Sequence, residues 1–170
     1  MTSPFRAEVL SREHDRSGFS SGEAALDRYF QTQVTQDARR RIANCFVAVA
    51  QDSGTVAAFY TIAATGLPFQ DLPAADARRL PRYPTLPAVR IGRLAVDRRY
   101  AGRGLGAALL ADAARRVMQA PPAVFALLVD AKNETAVGFY EHHGFQLLAS
   151  APMTLFLPLA TAEKTLLDPH

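Results

Sequence analysis

Apolar positions recur along this chain with two periods, and the change from one to the other predicts the elements. Residues 5–10 alternate weakly and read as a first strand. Ser21-Gly22-Glu23 then opens a stretch in which Ala25, Leu26, Tyr29 and Phe30 stand at helical spacing. Residues 35–42 predict a second, more polar helix. Its Arg39-Arg40-Arg41 run steps around the helix, so the three side chains cannot share a face and read as a solvated helix end. Two apolar runs, 45–50 and 56–64, flank Gln51-Asp52-Ser53-Gly54, which is the signature of a hairpin. Residues 66–87 contain Pro68, Pro73, Pro81, Pro84 and Pro87 and read as a surface loop, with a short helix over 74–80. A loop of that length in a compact domain usually serves function.

Strand character returns at 89–96. An alanine-rich helix follows to about Gln119, with Leu105, Leu109, Ala113 and Val117 every fourth residue, and Pro121-Pro122 stops it. Residues 124–129 are continuously apolar, as in a strand covered on both faces. Residues 133–143 read as a helix with Gly144 at its C′ position. Residues 145–148 and 155–159 close the sheet. The order is that of a mixed α/β (α+β) domain, with a glycine-rich turn at a strand-to-helix junction.

Length and charge narrow the classes. A chain of 170 residues fits one domain over 1–170. No apolar run approaches the roughly 20 residues of a membrane span. The first residues turn acidic before any apolar core develops, so no signal peptide is expected. The lone Cys45 excludes an internal disulfide, fits a reducing cytoplasm, and reads as a small core residue. The net charge is +3, yet Arg78, Arg79, Arg82, Arg90, Arg93, Arg98, Arg99 and Arg103 stand against Asp97 alone within 78–103. That local excess favours a polyanionic partner. Seventeen of the nineteen basic residues are Arg, which a GC-rich genome would also produce; the clustering carries the information.

The turn Arg99-x-x-Gly102-x-Gly104-x-Gly106 holds the candidate chemistry. A helix start leaves backbone N–H groups without intrahelical partners, its dipole favours anions, and glycines let a diphosphate approach closely. A dinucleotide fingerprint is set aside, because no opening βαβ unit with an acid on the next strand is found. Nor is the Lys-Ser/Thr pair of a phosphate-binding loop present.

The segment Leu94-Ala-Val-Asp-Arg-Arg99-Tyr-Ala-Gly-Arg-Gly-Leu-Gly106 resembles motif A of the GNAT N-acetyltransferase family. Asn133-Glu-Thr-Ala-Val-Gly-Phe-Tyr140-Glu-His-His-Gly144-Phe145 is similar to its motif B. The resemblance implies a mixed, mostly antiparallel sheet with helices on both faces. It also implies a splayed parallel strand pair, 89–96 and 124–129, that admits the pantetheine of acetyl-CoA. Backbone groups of Leu94, Ala95 and Val96 would meet the acetyl and pantetheine amides. Arg99, Gly102, Arg103, Gly104, Leu105 and Gly106 would hold the pyrophosphate, and Asn133, Phe139 and Tyr140 would line the arm and thiol. Tyr140 would be the general acid that protonates the departing thiolate; a phenol with a pKa near 10 keeps its proton at neutrality. No metal is expected. On periodicity alone, Tyr140 would simply pack with Ala136 and His143. His142 and His143 read as helix-end residues, His14 as unremarkable, and Glu134 and Glu141 as solvated.

A second resemblance spans roughly residues 5–159. His14-Asp-Arg-Ser-Gly-Phe-Ser-Ser-Gly-Glu-Ala-Ala-Leu26-Asp27, Gln36-Asp37-Ala-Arg-Arg, Gly92-Arg93 and Leu155-Phe-Leu-Pro-Leu-Ala160 are similar to the toxin-type GNATs that acetylate aminoacyl-tRNA. Ser21 stands where relatives often carry cysteine. The resemblance implies translation arrest, a ribbon-helix-helix antitoxin and a homodimer, with no membrane association. The arginine segment agrees, since phosphate contacts supply most non-specific nucleic-acid affinity; Arg78, Arg79, Arg82, Arg90 and Arg93 are candidates for the acceptor stem. An α-amine, with a pKa near 7.7–8.0, also needs less help from a base than a lysine near 10.4. The alternatives are a GNAT enzyme acting on a small-molecule amine, a protein N-terminus or lysine, and a CoA-binding sensor without turnover.

Overall fold

The computed structural model describes residues 3–167. Its elements are β1 (Phe5–Val9), α1 (Ala24–Thr32), α2 (Val34–Arg39), β2 (Asn44–Ala50), β3 (Val56–Pro68), α3 (Ala74–Ala77), β4 (Thr85–Val96), α4 (Leu105–Gln119), β5 (Ala126–Asp130), α5 (Glu134–His142), β6 (Gln146–Leu147), β7 (Thr154–Pro158) and α6 (Leu159–Ala162). Hydrogen-bonded neighbours follow the order β1-β2-β3-β4-β5-β7-β6. The pairings β1/β2, β2/β3, β5/β7 and β6/β7 are antiparallel, and β4/β5 is parallel. This is a mixed, mostly antiparallel sheet with one parallel pair. Among the described residues, no helix is long and apolar enough to cross a membrane.

The chain forms two compact units. The first comprises the residues up to Ala63 together with Gly92–Asp112. Its core gathers Phe19, Tyr29, Phe30, Val34, Cys45, Val47, Val49, Val56, Phe59 and Ala95. Phe30 and Phe59 stack with ring centroids 4.2 Å apart, and Phe19 meets both edge-on. The alternation within β2 and β3 supplies this apolar face, and Tyr29, Phe30 and Val34 project onto it from α1 and α2. Ala25, which shares the helical pattern, is exposed. The β2–β3 hairpin turns at Gly54, whose φ is +75°, with its N–H donating to the Ala50 carbonyl at 2.8 Å. The second helix starts and stops earlier than the sequence predicts: α2 ends at Arg39, and Arg41 adopts φ +61°. All three arginines of the run are exposed.

The second unit comprises Ala64–Ile91 and the residues from Ala113 onward. Its core gathers Leu67, Leu72, Leu86, Ala88, Ala126, Leu128, Leu148 and Phe156. The β4–β5 ladder runs from Ala88↔Ala126 to Ile91↔Val129. β5 is buried from Ala126 to Val129, as its unbroken apolar run predicts. The predicted loop 66–87 is shorter than expected, because β3 extends to Pro68 and β4 begins at Thr85. Gly66 permits this, since a Cβ there would lie 2.5 Å from Cγ2 of Thr85. The Phe69 N–H donates to the Pro84 carbonyl at 3.0 Å and closes the neck of the remaining excursion.

Candidate active site

In the first unit, β4 leads into the glycine-rich turn. Ala95 is buried in the core, and Leu94 and Val96 are half-buried on the opposite side of the strand. Next comes Asp97, whose side chain is only 1% exposed. Its carboxylate accepts from the backbone N–H of Ser20 at 3.0 Å and of Arg99 at 2.9 Å. It also takes two bonds from the Arg99 guanidinium, Nε at 2.9 Å and Nη2 at 3.0 Å. Burial alone pushes the Asp97 carboxyl up, but these hydrogen bonds and the adjacent guanidinium outweigh it and hold it below the usual carboxylate range. The Arg98 N–H donates to the Ser20 carbonyl at 2.9 Å, and Arg98 Nη2 donates to Ser20 Oγ at 3.0 Å. The turn is thereby fastened to a segment 77 residues earlier in the chain.

Residues 98–100 form a short 3-10 turn, after which Gly102 and Gly104 take φ +78° and +77°. A Cβ at either glycine would meet no atom within 4 Å, so both face open space. α4 begins directly afterwards, at Leu105. Its first turn therefore presents main-chain N–H groups that have no intrahelical partner. Such a start fits a diphosphate: the backbone can be approached closely, and the helix dipole favours negative charge. Arg103 is exposed, with its guanidinium 5.4 Å from the Tyr100 ring centroid. Arg99 is engaged by Asp97 and so shapes the turn. Arg93 lies with its guanidinium 3.7 Å from the Tyr29 ring centroid, while the Tyr29 hydroxyl donates to Asp37 at 2.7 Å.

The second unit holds Asn133, Phe139 and Tyr140. Asn133 caps α5, its Oδ1 accepting from the Ala136 N–H at 2.9 Å. The helix ends in a two-bond αL cap: the Gly144 N–H donates to the Glu141 carbonyl and the Phe145 N–H to that of Tyr140. Gly144 takes φ +97° to allow it. Phe145, buried by the same turn, meets the Tyr140 ring edge-on at 5.5 Å, and Phe139 meets it at 5.2 Å. Tyr140 is thus held at its carbonyl and on its ring by its own helix end. The His143 N–H also donates to the Tyr140 carbonyl, at 3.0 Å. Burial, and after it the Asp130 carboxylate, push the Tyr140 phenol above its ordinary value. Its proton is therefore retained throughout the physiological range.

Asp130 is a residue that sequence reasoning missed. It ends β5, forms an ion pair with Arg90, and accepts from Thr154 Oγ1 at 2.8 Å. Its place at the carboxyl end of an unbroken apolar strand was the available signal. Arg90 accordingly commits part of its charge within the protein, whereas Arg78, Arg79 and Arg82 are exposed. Glu134, Glu141 and His142 are exposed as predicted. His143 is half-buried on the Phe139 ring, and burial, with His142 beside it, holds its imidazole below its ordinary pKa. The Cys45 thiol is buried and pushed up to about 12, which removes it as a nucleophile. Ser21 binds Asp27 through both its N–H and its hydroxyl, fastening the start of α1.

A mixed sheet with one parallel pair, a glycine-opened helix start after β4 and a capped tyrosine helix after β5 define a GNAT-type acyltransferase. The chain belongs to the acetyltransferase (GNAT) family, whose sequence profile matches residues 10–145. It is 34% identical over 161 residues to the tRNA-acetylating toxin of Mycobacterium tuberculosis, covering 94% of this chain and 95% of that protein. Among solved structures, it is similar to AtaT complexed with acetyl-methionyl-tRNAfMet, at TM-score 0.86 and 30% identity, over 94% of this chain and 98% of that one. It is also similar to a mutant AtaT toxin bound to the C-terminus of the antitoxin AtaR and acetyl-CoA, at TM-score 0.79 and 27% identity, over 95% and 98%.

Proposed function

We propose that this enzyme transfers acetyl from acetyl-CoA to the α-amine of the aminoacyl group on charged tRNA, and so acts as the toxin of a toxin–antitoxin pair. The observation that carries the reading is its near end-to-end similarity to a tRNA-acetylating toxin, with both GNAT motifs intact. On this reading, the N–H groups of residues 102–106 hold the pyrophosphate, with Arg103 at its rim and Arg99 shaping the turn. Main-chain groups of Leu94, Ala95 and Val96 receive the pantetheine amides. Asn133 and Phe139 flank the arm.

The neutral α-amine attacks the thioester carbonyl carbon directly. The new C–N bond forms, the C–S bond breaks, and the phenol of Tyr140 gives its proton to the departing sulfur. The nitrogen releases its extra proton to water, and the phenolate regains one from solvent. An α-amine near pKa 7.7–8.0 is substantially neutral at physiological pH, so the attack needs no strong protein base. Arg78, Arg79 and Arg82, with Arg90 and Arg93, are assigned to the acceptor stem. The reaction belongs to the cytoplasm, where charged tRNA is found. A ribbon-helix-helix antitoxin and a homodimeric state complete the proposal.

The test incubates the purified protein with radiolabelled acetyl-CoA and, separately, charged tRNAs, free amino acids, peptides and small amines. Label on the aminoacyl ester supports the reading. Label only on peptides or small amines would replace it with the small-molecule or protein acetyltransferase alternative.

A further inference from the structure

We propose that Tyr83 is a stacking platform for an unpaired nucleobase at the single-stranded 3′ end of the RNA substrate. The inference rests on the tRNA reading and deepens it. Tyr83 is 60% exposed, the most open of the large apolar side chains among the described residues. One exposed aromatic is by itself ordinary. Its setting is not.

The other four tyrosines have contacts that account for them. Tyr29 lies under Arg93 and donates to Asp37, and Tyr60 donates to Asp112. Tyr100 has the Arg99 and Arg103 guanidinium groups 5.8 and 5.4 Å from its ring centroid and meets Phe5 edge-on, and Tyr140 packs on Phe139 and Phe145. Tyr83, among the described residues, has no such ring contact. It follows Arg78, Arg79 and Arg82, all exposed, and no acidic residue stands between Asp76 and Asp97.

The ring is also presented from a stiff base. Pro81 and Pro84 flank it, its N–H donates to the Pro81 carbonyl at 3.0 Å, and the Phe69 N–H holds the Pro84 carbonyl at 3.0 Å. Phe69, Ala77 and Leu80, on the same excursion, pack against the core of the second unit. A pre-ordered aromatic loses little entropy on binding. Exposed arginines for phosphates beside an open aromatic face for a base are the pairing that grips single-stranded nucleic acid.

The chain contains no tryptophan, so Tyr83→Trp installs a sole indole reporter. Tyr83→Ala should raise the KM for aminoacyl-tRNA roughly 5- to 150-fold, the range of aromatic stacking on a base, without changing the KM for acetyl-CoA. Tyr83→Phe should restore tRNA binding. Charged tRNA should quench the Tyr83→Trp indole, and a blunt RNA duplex lacking the single-stranded end should not. The proposal is overturned if the wild-type protein acetylates tRNA while Tyr83→Ala keeps the wild-type KM, or if the blunt duplex quenches equally. A wild-type protein that acetylates no charged tRNA would instead remove the substrate reading, and this inference with it.

Discussion

Arg99 sets one edge of its guanidinium, Nε and Nη2, against both oxygens of Asp97, a carboxylate buried at the threshold of the glycine-rich turn. The two partners are unequally placed: the Arg99 side chain is 58% exposed and that of Asp97 only 1%. Their substitutions should therefore differ. Asp97→Ala takes the acceptor from the backbone N–H groups of Ser20 and Arg99 and should cost about 2–4 kcal/mol of folding stability. Arg99→Ala should cost less, because it removes only an exposed partner that water screens and leaves the carboxylate its two backbone N–H donors. Urea denaturation of both variants measures the difference, and equal destabilisation would contradict the asymmetry.

Gly104→Ala isolates the cradle. The added methyl meets no protein atom within 4 Å, but φ +77° strains any L-residue by about 1–2 kcal/mol. Stability should fall by that small amount. If the turn holds the diphosphate as proposed, acetyl-CoA affinity, measured by titration calorimetry, should fall about tenfold or more, because the methyl would stand between it and the backbone.

Tyr140→Phe should leave acetyl-CoA affinity unchanged and lower kcat by about 10²–10⁴, the usual contribution of a general acid. The pH profile tests the same role. Burial and Asp130 raise the Tyr140 pKa, so the acid stays protonated and the alkaline fall in kcat should lie above about pH 10. Asp130→Asn removes the repelling charge and should move that fall to lower pH. The acidic limb should follow the acceptor amine, near or below pH 7.7–8.0.

Replacing Arg78, Arg79 and Arg82 together by alanine should weaken tRNA acetylation and leave acetyl-CoA binding intact. For each phosphate that is no longer neutralised, the slope of log affinity against log salt should also become shallower by about 0.7–0.9. Filter binding across a salt series reads both effects. A parallel weakening for tRNA and acetyl-CoA would assign these arginines to the cofactor instead.

Features governed by a few neighbouring residues were legible in the sequence. The glycine-opened start of α4 and the Gly144 cap of α5 are local chemistry, and the structure has them where the sequence puts them; the Asn133 cap that starts α5 was not read from the sequence. The burial of Leu105, Leu109, Ala113 and Val117 was equally legible from their four-residue spacing. Pairings across long separations were not. Asp97 to Ser20 spans 77 residues and Arg90 to Asp130 spans 40, and nothing in a periodicity encodes which distant group a polar side chain will meet. The prolines between 66 and 87 read as loop, but Pro68 ends β3 and Pro87 lies within β4. There the fit of Gly66 against Thr85 outweighs local propensity.

The acetylated atom can be identified directly. Charged tRNA treated with the protein and acetyl-CoA can be digested with nuclease and its 3′-terminal aminoacyl-adenosine weighed by mass spectrometry. One added acetyl group is expected on the amino-acid nitrogen, absent with Tyr140→Phe over the same interval. An unmodified aminoacyl-adenosine, alongside acetyl transfer to another amine, would contradict it.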